Sequence, residues 1–257
     1  MHKLIAAGGG DKNPGDFPAK GVFAFDEEIV RLAGKKSPKL LFIPTATRDW
    51  EGYIEAVQKY FGGRLGCRVD VLRVVSERPS AYVIKEKIRN ADIIYVGGGN
   101  TLFLIRKWKQ LGIDKLLRQA YDRGAVMSGL SAGAICWFRY GTSDSRMLTD
   151  PTFKDYIRVS GLGWFDLTLS PHHLKEKKRK PALIKQIKKH GGVGLALDDY
   201  TALEILDNKF RIITAKPFAK AFKLYKEHRE VIYQELPRNK FLPLCELVEV
   251  SGNANSF

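Results

Sequence analysis

The sequence predicts an α/β domain with a doubly wound, mostly parallel sheet, helices on both faces of that sheet and a β-rich C-terminal part. Three observations predict it. Short apolar runs alternate with stretches of helical periodicity from the N-terminus onward, which is the pattern of parallel strands joined by crossover helices. Several of the runs end in glycine, at Gly8-Gly9-Gly10, at Gly97-Gly98-Gly99 and around Gly129 and Gly133. The 257 residues are 44% hydrophobic, enough for one large core, and no linker, repeat or low-complexity tail divides them. Residues 1–257 therefore read as a single domain.

The elements follow in order. Lys3 to Ala7 is a first strand, and its glycine turn lies where open α/β sheets build their sites. Pro14 and Pro18 separate that turn from the next helix, so it is not a dinucleotide-binding loop. Phe23 to Leu32 places apolar residues, Val22 among those flanking them, at helical spacing, with Asp26, Glu27 and Glu28 on the other side. Lys39 to Ile43 is a buried strand closed by Pro44. Tyr53 to Phe61 is a helix, Arg68 to Val75 a strand and Ala81 to Arg89 a helix. Asp92 to Val96 is the next strand, followed by helical segments at Leu102 to Leu111 and Lys115 to Arg123. Ala125 to Met127 leads into Gly129. Beyond it, Gly141 to Asp155 is polar and loop-like. Leu167 to Leu169 is apolar, a helix is expected at Pro181 to Lys189, and residues 194–205 read as strand, turn and strand. Phe210 to Thr214 and Ala221 to Tyr225 continue as β-rich segments.

Composition narrows the function classes. No run reaches the roughly 18 apolar residues that a membrane-spanning helix needs. Met1 to Ala7 is too short for a signal peptide. Cys67, Cys136 and Cys245 are widely spaced and odd in number, which argues against disulfides or a zinc site and for a reducing cytoplasm. The net charge is +15, from 43 Lys+Arg against 28 Asp+Glu. The positives are scattered, apart from the run Lys175 to Lys180. That distribution fits a solvated basic surface or a field for anionic substrates better than a nucleic-acid groove. No cofactor, metal ligand set or membrane partner is expected.

Gly129-Leu130-Ser131-Ala132-Gly133 fits G-x-S-x-G, which places a nucleophilic serine on a sharp turn between a buried strand and a helix. Side chains flanking such a turn would strike neighbouring chain, and glycine at both sites removes the obstruction. The amide of Ala132 is left free for an oxyanion, at the positive end of the helix that follows. A tight strand-to-helix loop is the bland alternative. The apolar strand before the motif and the small residues after it favour the elbow.

Taken together, the elbow, Gly97-Gly98-Gly99-Asn100-Thr101, Ser170-Pro171-His172 and Gly194-Leu195-Ala196-Leu197-Asp198-Asp199 resemble the S51 peptidases. This is the family of dipeptidase E and cyanophycinase, built on the class I glutamine amidotransferase-like fold. The resemblance runs from the first strand to Ile205, and the last fifty or so residues fall outside it. It implies a cytoplasmic serine peptidase acting on small peptides, with Asp-X dipeptides as the expected substrates and a homodimer as an allowed assembly. Ser131 matches the nucleophile and His172 the general base, since a serine hydroxyl needs a base to take its proton. His173 would point to the other side of an extended segment.

The acid stays open. Asp144 resembles the aspartate on the loop after the elbow, with Asp198 or Asp199 as alternatives, and the reading leans to Asp144. Gly98 and Gly99 resemble the loop that supplies the second oxyanion amide. Asn100 either contacts substrate or, with Thr101, caps the next helix. Arg139, Arg146 and the lysine run are candidate partners for a substrate carboxylate. Two other readings share the scaffold or the motif: a catalytically silent binding module and an α/β-hydrolase-type esterase.

Overall fold

The computed structural model describes residues 1–10 and 23–249; Asp11, Pro14, Pro18 and Val22 lie outside them. In chain order come β1 (Lys3–Ala7), α1 (Phe23–Leu32), β2 (Lys39–Ile43), α2 (Glu51–Val57), β3 (Arg68–Val71), α3 (Ala81–Asn90), β4 (Ile93–Val96), α4 (Thr101–Leu111), α5 (Ile113–Asp122) and β5 (Val126–Leu130). A π-helical turn, Gln58–Arg64, extends α2. After the elbow follow α6 (Ala132–Ile135), β6 (Phe138–Ser143), β7 (Ile157–Ser160), β8 (Phe165–Ser170), α7 (Arg179–His190), β9 (Val193–Leu197), β10 (Thr201–Leu206), β11 (Lys209–Thr214), β12 (Ala221–Glu227), β13 (Glu230–Glu235), β14 (Leu242–Pro243) and α8 (Leu244–Val248).

The alternating pattern of the first half works as the period-2 geometry of a strand requires. Leu4 and Ala6 of β1 join Leu41, Ile43, Ile94 and Val96 on one face, where Ile84 and Ile88 of α3 and Leu104 and Trp108 of α4 cover them. Ile5 and Ala7 join Leu40, Phe42, Ile93 and Tyr95 on the other, under Phe25 and Ile29 of α1 and Ile54 and Val57 of α2. Helices thus cover both faces. The parallel strands run β1-β5-β4-β2-β3, and β10, β11 and β14 extend the β1 edge antiparallel to complete eight strands.

The second half departs from the expected single sheet. Strands β13-β12-β9-β8-β6-β7 form a separate six-stranded sheet in which only β6-β8 and β8-β9 are parallel. Leu167, Leu169, Leu195 and Leu197 pack from it into the same apolar cluster as the first sheet's inner face. Leu183 and Ile187 of α7 cover its other side.

Two local differences have physical causes, and a third concerns the C-terminal residues. The strand expected over Arg68 to Val75 stops at Val71, because the Asp49 carboxylate takes the amides of Val75 and Ser76 at 2.6 and 3.0 Å. Gly141 to Ser143, expected as the start of a loop, instead complete β6, and the loop begins after them. The polar residues here are buried but satisfied: Thr142 donates to Gln186 at 2.9 Å, and the Ser143 and Ser145 hydroxyls are 2.7 Å apart. Ala221 to Tyr225 is β-rich as expected, in β12; the residues after it, to which the sequence reading assigned no element, supply β13, which forms a hairpin with β12 on the second sheet, a short strand beside β11, and α8, whose Leu247 is buried.

Candidate active site

Three chain segments from different parts of this architecture meet at the carboxyl edge of the parallel strands. Strand β5 delivers Ser131, β8 of the second sheet delivers His172, and the connection from β9 to β10, which passes between the sheets, carries Asp199. The glycine loops after β1 and β4 close the group.

Ser131 sits at the start of α6 with φ 55° and ψ −109°. Its amide donates to Ala7 O at 3.1 Å, and its carbonyl accepts from Ala134 and Ile135, which holds the turn. The flanking glycines are required by space. A Cβ on Gly129 would lie 2.3 Å from Gly133 O, and one on Gly133 would lie 2.1 Å from Val96 O. The amides of Ala132 and Gly133 fall in the first turn, where a helix has no internal acceptor for them.

His172 Nε2 lies 3.0 Å from Ser131 Oγ, and Nδ1 lies 2.5 Å from Asp199 Oδ1. With Nδ1 donating to the carboxylate, Nε2 carries the lone pair that faces the serine. The imidazole is held by its own backbone too, since the His172 amide donates to Gly8 O at 3.1 Å. Asp199 is only 6% exposed. Burial alone would push its carboxyl up; the hydrogen bond with His172 and the Lys175 ammonium outweigh that and hold it below the ordinary aspartate range. Gly9 closes the back of this pair: a Cβ there would lie 2.2 Å from both Asp199 Oδ1 and His172 Nδ1.

The Gly97-Gly98-Gly99 loop reaches the nucleophile from β4. A Cβ on Gly98 would lie 3.5 Å from Ser131 Cβ and from Leu130 O. Gly99, at φ 129°, passes so close to Ala46 that a Cβ would meet its carbonyl oxygen at 2.5 Å. The phenol of the half-buried Tyr53 is pushed up to about 12 by desolvation, an effect that a hydrogen bond from the Gly98 backbone opposes.

The remaining sequence candidates are placed as follows. Asp144, towards which the sequence reading leans, does not face His172. It lies 3.8 Å from the Arg179 guanidinium, which is buried and bonded to Glu176 and to Thr142 O. That buried cation draws Asp144 towards α7, and Asp199 takes the place beside the imidazole. Asp198 accepts from the Leu174 amide at 2.9 Å, and burial pushes its carboxyl up to about 6. Asn100 caps α4 by accepting from Phe103 N and donates to Ser145 O, both at 2.9 Å, so both ends of its amide serve the fold. Arg139 pairs with Asp166 at 2.8 Å, and Arg146 stacks over Phe153 at 4.3 Å. The adjacent histidines part as expected: His173 is fully buried, bonds Ser170 Oγ at 3.2 Å and stacks on Tyr233. Burial, then Lys180 and Arg179, lower it to about 4.

The sequence pattern of peptidase family S51 matches residues 4–213. The chain belongs to peptidase family S51. Among its relatives, an uncharacterized peptidase, YgaJ, of Bacillus subtilis (strain 168) is 33% identical over 239 residues, 92% of this chain and 98% of that protein. A peptidase E of Shigella flexneri serotype 5b is 31% identical over 145 residues, 55% of this chain and 57% of that one. The crystal structure of a peptidase from an acI-B1 Actinobacterium shares the fold, with a TM-score of 0.71 and 19% identity over 95% of this chain and 97% of that one. This S51 membership replaces the α/β-hydrolase alternative.

Two features of the candidate site escaped the sequence reading. Gly8 and Gly9 were legible as a turn at a strand end, but nothing in the sequence joined them to His172. Lys175 was legible only as part of a charge run, whereas in space its ammonium lies 2.9 Å from Asp199 Oδ2.

Proposed function

We propose that this S51 peptidase hydrolyses small peptides by nucleophilic attack of Ser131, with His172 as general base and Asp199 as the group that orients and stabilises the imidazole. One observation carries the reading: the Ser131 Oγ, His172 Nε2, His172 Nδ1 and Asp199 Oδ1 atoms form a continuous relay with contacts of 3.0 and 2.5 Å. Ser131 Oγ adds to the scissile carbonyl carbon while its proton passes to Nε2. The resulting oxyanion is met by the Ala132 amide and an amide of the Gly98-Gly99 loop. The imidazolium then gives its proton to the leaving amine, and the C–N bond breaks to an acyl-serine ester. Water, deprotonated by Nε2, adds to that ester; the C–Oγ bond then breaks as the imidazolium returns the proton to Ser131 Oγ, releasing the acid and restoring the serine.

Asp-X dipeptides are the proposed substrates. The resemblance to dipeptidase E supports this class, and the chain's +15 charge supplies a field that favours an acidic residue. Arg139 is committed to Asp166, so the contact that reads the aspartyl group is expected from elsewhere on the rim. Ser131→Ala, assayed on matched Asp-X and Asn-X dipeptides, is expected to lose about 10³-fold or more in kcat with an unchanged melting temperature. Equal hydrolysis by the variant would end the reading. Equal wild-type rates on the two series would end the acidic preference alone.

A further inference from the structure

We propose that Lys175 is a positioning residue of this site, fixing the Asp199 carboxylate from the side opposite His172 and moderating the charge that the imidazole feels; this rests on the serine-peptidase reading above. The two oxygens of Asp199 have different partners. Oδ1 faces His172 Nδ1, and Oδ2 lies 2.9 Å from the Lys175 ammonium. The lysine contact is an ion pair rather than a well-directed hydrogen bond, and among the described residues no other donor serves Oδ2. A carboxylate this deeply buried needs a compensating charge in its resting state, before any imidazolium exists. Lys175 is the group in place to provide it.

The surroundings single out this lysine from its neighbours in the run. Arg179 is spent on Glu176 and Thr142 O, and Lys180 lies over the Tyr233 ring. Lys175 Nζ instead lies 3.5 Å from Gly10 O, at the end of the glycine loop whose Gly9 backs the His172-Asp199 pair. The other charged groups nearby are Asp198, adjacent on the same turn with Lys220 close to it, and Lys216 over the Tyr200 ring. Lys175 is 40% exposed, so water screens part of its field.

Loss of the ammonium should have two separable effects. Asp199 loses an anchor, so its hold on the imidazole orientation weakens. The imidazolium also loses a repelling charge, so it forms more readily. Lys175→Met is therefore expected to lower kcat about 5- to 30-fold with KM within about twofold, because the effect is on geometry at the reacting group and not on substrate binding. The acid limb of the rate, and the His172 imidazole titration followed by NMR, should both move to higher pH by about half to one unit. Lys175→Arg keeps the charge and should restore most of both.

An unmoved imidazole titration in Lys175→Met would overturn the proposal, whatever happens to melting temperature. So would a raised KM with kcat preserved, which would make Lys175 a substrate contact. The titration needs no substrate: if the wild type cleaves no peptide, the proposed function fails, while the shift still decides the place of Lys175.

Discussion

Ser131, His172 and Tyr200 hold φ at 55°, 50° and 64°, a region that side chains seldom occupy and that costs about 1–3 kcal/mol each. All three lie at the proposed machinery, since Tyr200 follows Asp199 directly and its amide is bonded to Gly9 O at 2.9 Å. The surrounding hydrogen bonds hold the strain where the proposed nucleophile, base and acid must be aimed. The acid is where residue-scale prediction is sharpest. Asp199→Asn should reduce kcat about 10³- to 10⁴-fold by removing the partner of Nδ1, whereas Asp144→Asn should leave kcat within about threefold because it removes only a long contact to Arg179. Steady-state kinetics on the two variants checks this, and a large loss in Asp144→Asn alone would reverse the assignment. Ser131 was legible in the sequence because its turn needs glycine on both sides, and His172 because it follows a proline at a strand end. The proposed acid was not legible. Asp144, Asp198 and Asp199 all sit in polar turns that directly follow a strand, and only the buried Arg179, whose position depends on the packing of α7, separates the first from the others.

Elements explain why the glycine loops matter as much as the side chains. The loop after β1 packs against the His172-Asp199 pair with no room for one carbon, so Gly9→Ala should keep the fold and lose about 100-fold or more in kcat. Circular dichroism together with kinetics would separate that outcome from unfolding. At the elbow the outcome differs: Gly133→Ala drives a methyl into the Val96 carbonyl and should destabilise the protein by about 1–3 kcal/mol, read by denaturant unfolding. The elements before the elbow were legible because every strand there except the edge strand β3 buries both faces and the helices each have an apolar side. Those after it were less so. Strand β6 hides a Gly-Thr-Ser sequence behind satisfied hydroxyls, and the Glu230–Glu235 strand sits at a sheet edge with mostly half-exposed or exposed residues, so neither carries the apolar signature of a buried strand.

At the scale of the whole molecule, the second sheet is what brings the histidine to the serine. Parallel strands β8 and β9 aim His172 and the Asp198-Asp199 turn at the carboxyl edge of the first sheet, and the apolar cluster shared by both sheets fixes that approach. Sequence periodicity reports which residues are buried but not which sheet they join, so a division into two sheets was beyond it. The molecule also keeps a buried carboxyl outside the proposed relay. Burial on α1 pushes Asp26 up to about 8, against the pull of a hydrogen bond with Tyr60. An aspartate raised in the folded state binds a proton that the unfolded chain has already released, so it lowers stability progressively as pH rises from its model value of 3.8 to about 8. Asp26→Asn should therefore gain melting temperature relative to wild type across that window and level off above it. A difference that stays flat with pH would contradict the buried, protonated state. Among the described residues no helix is long and apolar enough to cross a membrane.

The central claim is that Ser131 is an activated nucleophile whose activation runs through His172 and Asp199. Labelling with a fluorophosphonate, followed by peptide mapping in the mass spectrometer, tests it most directly because no knowledge of the substrate is required. The account predicts one adduct per chain, on Ser131, formed at least about 100-fold more slowly in His172→Gln and Asp199→Asn. An unlabelled Ser131, or labelling at the same rate in those two variants, would contradict it.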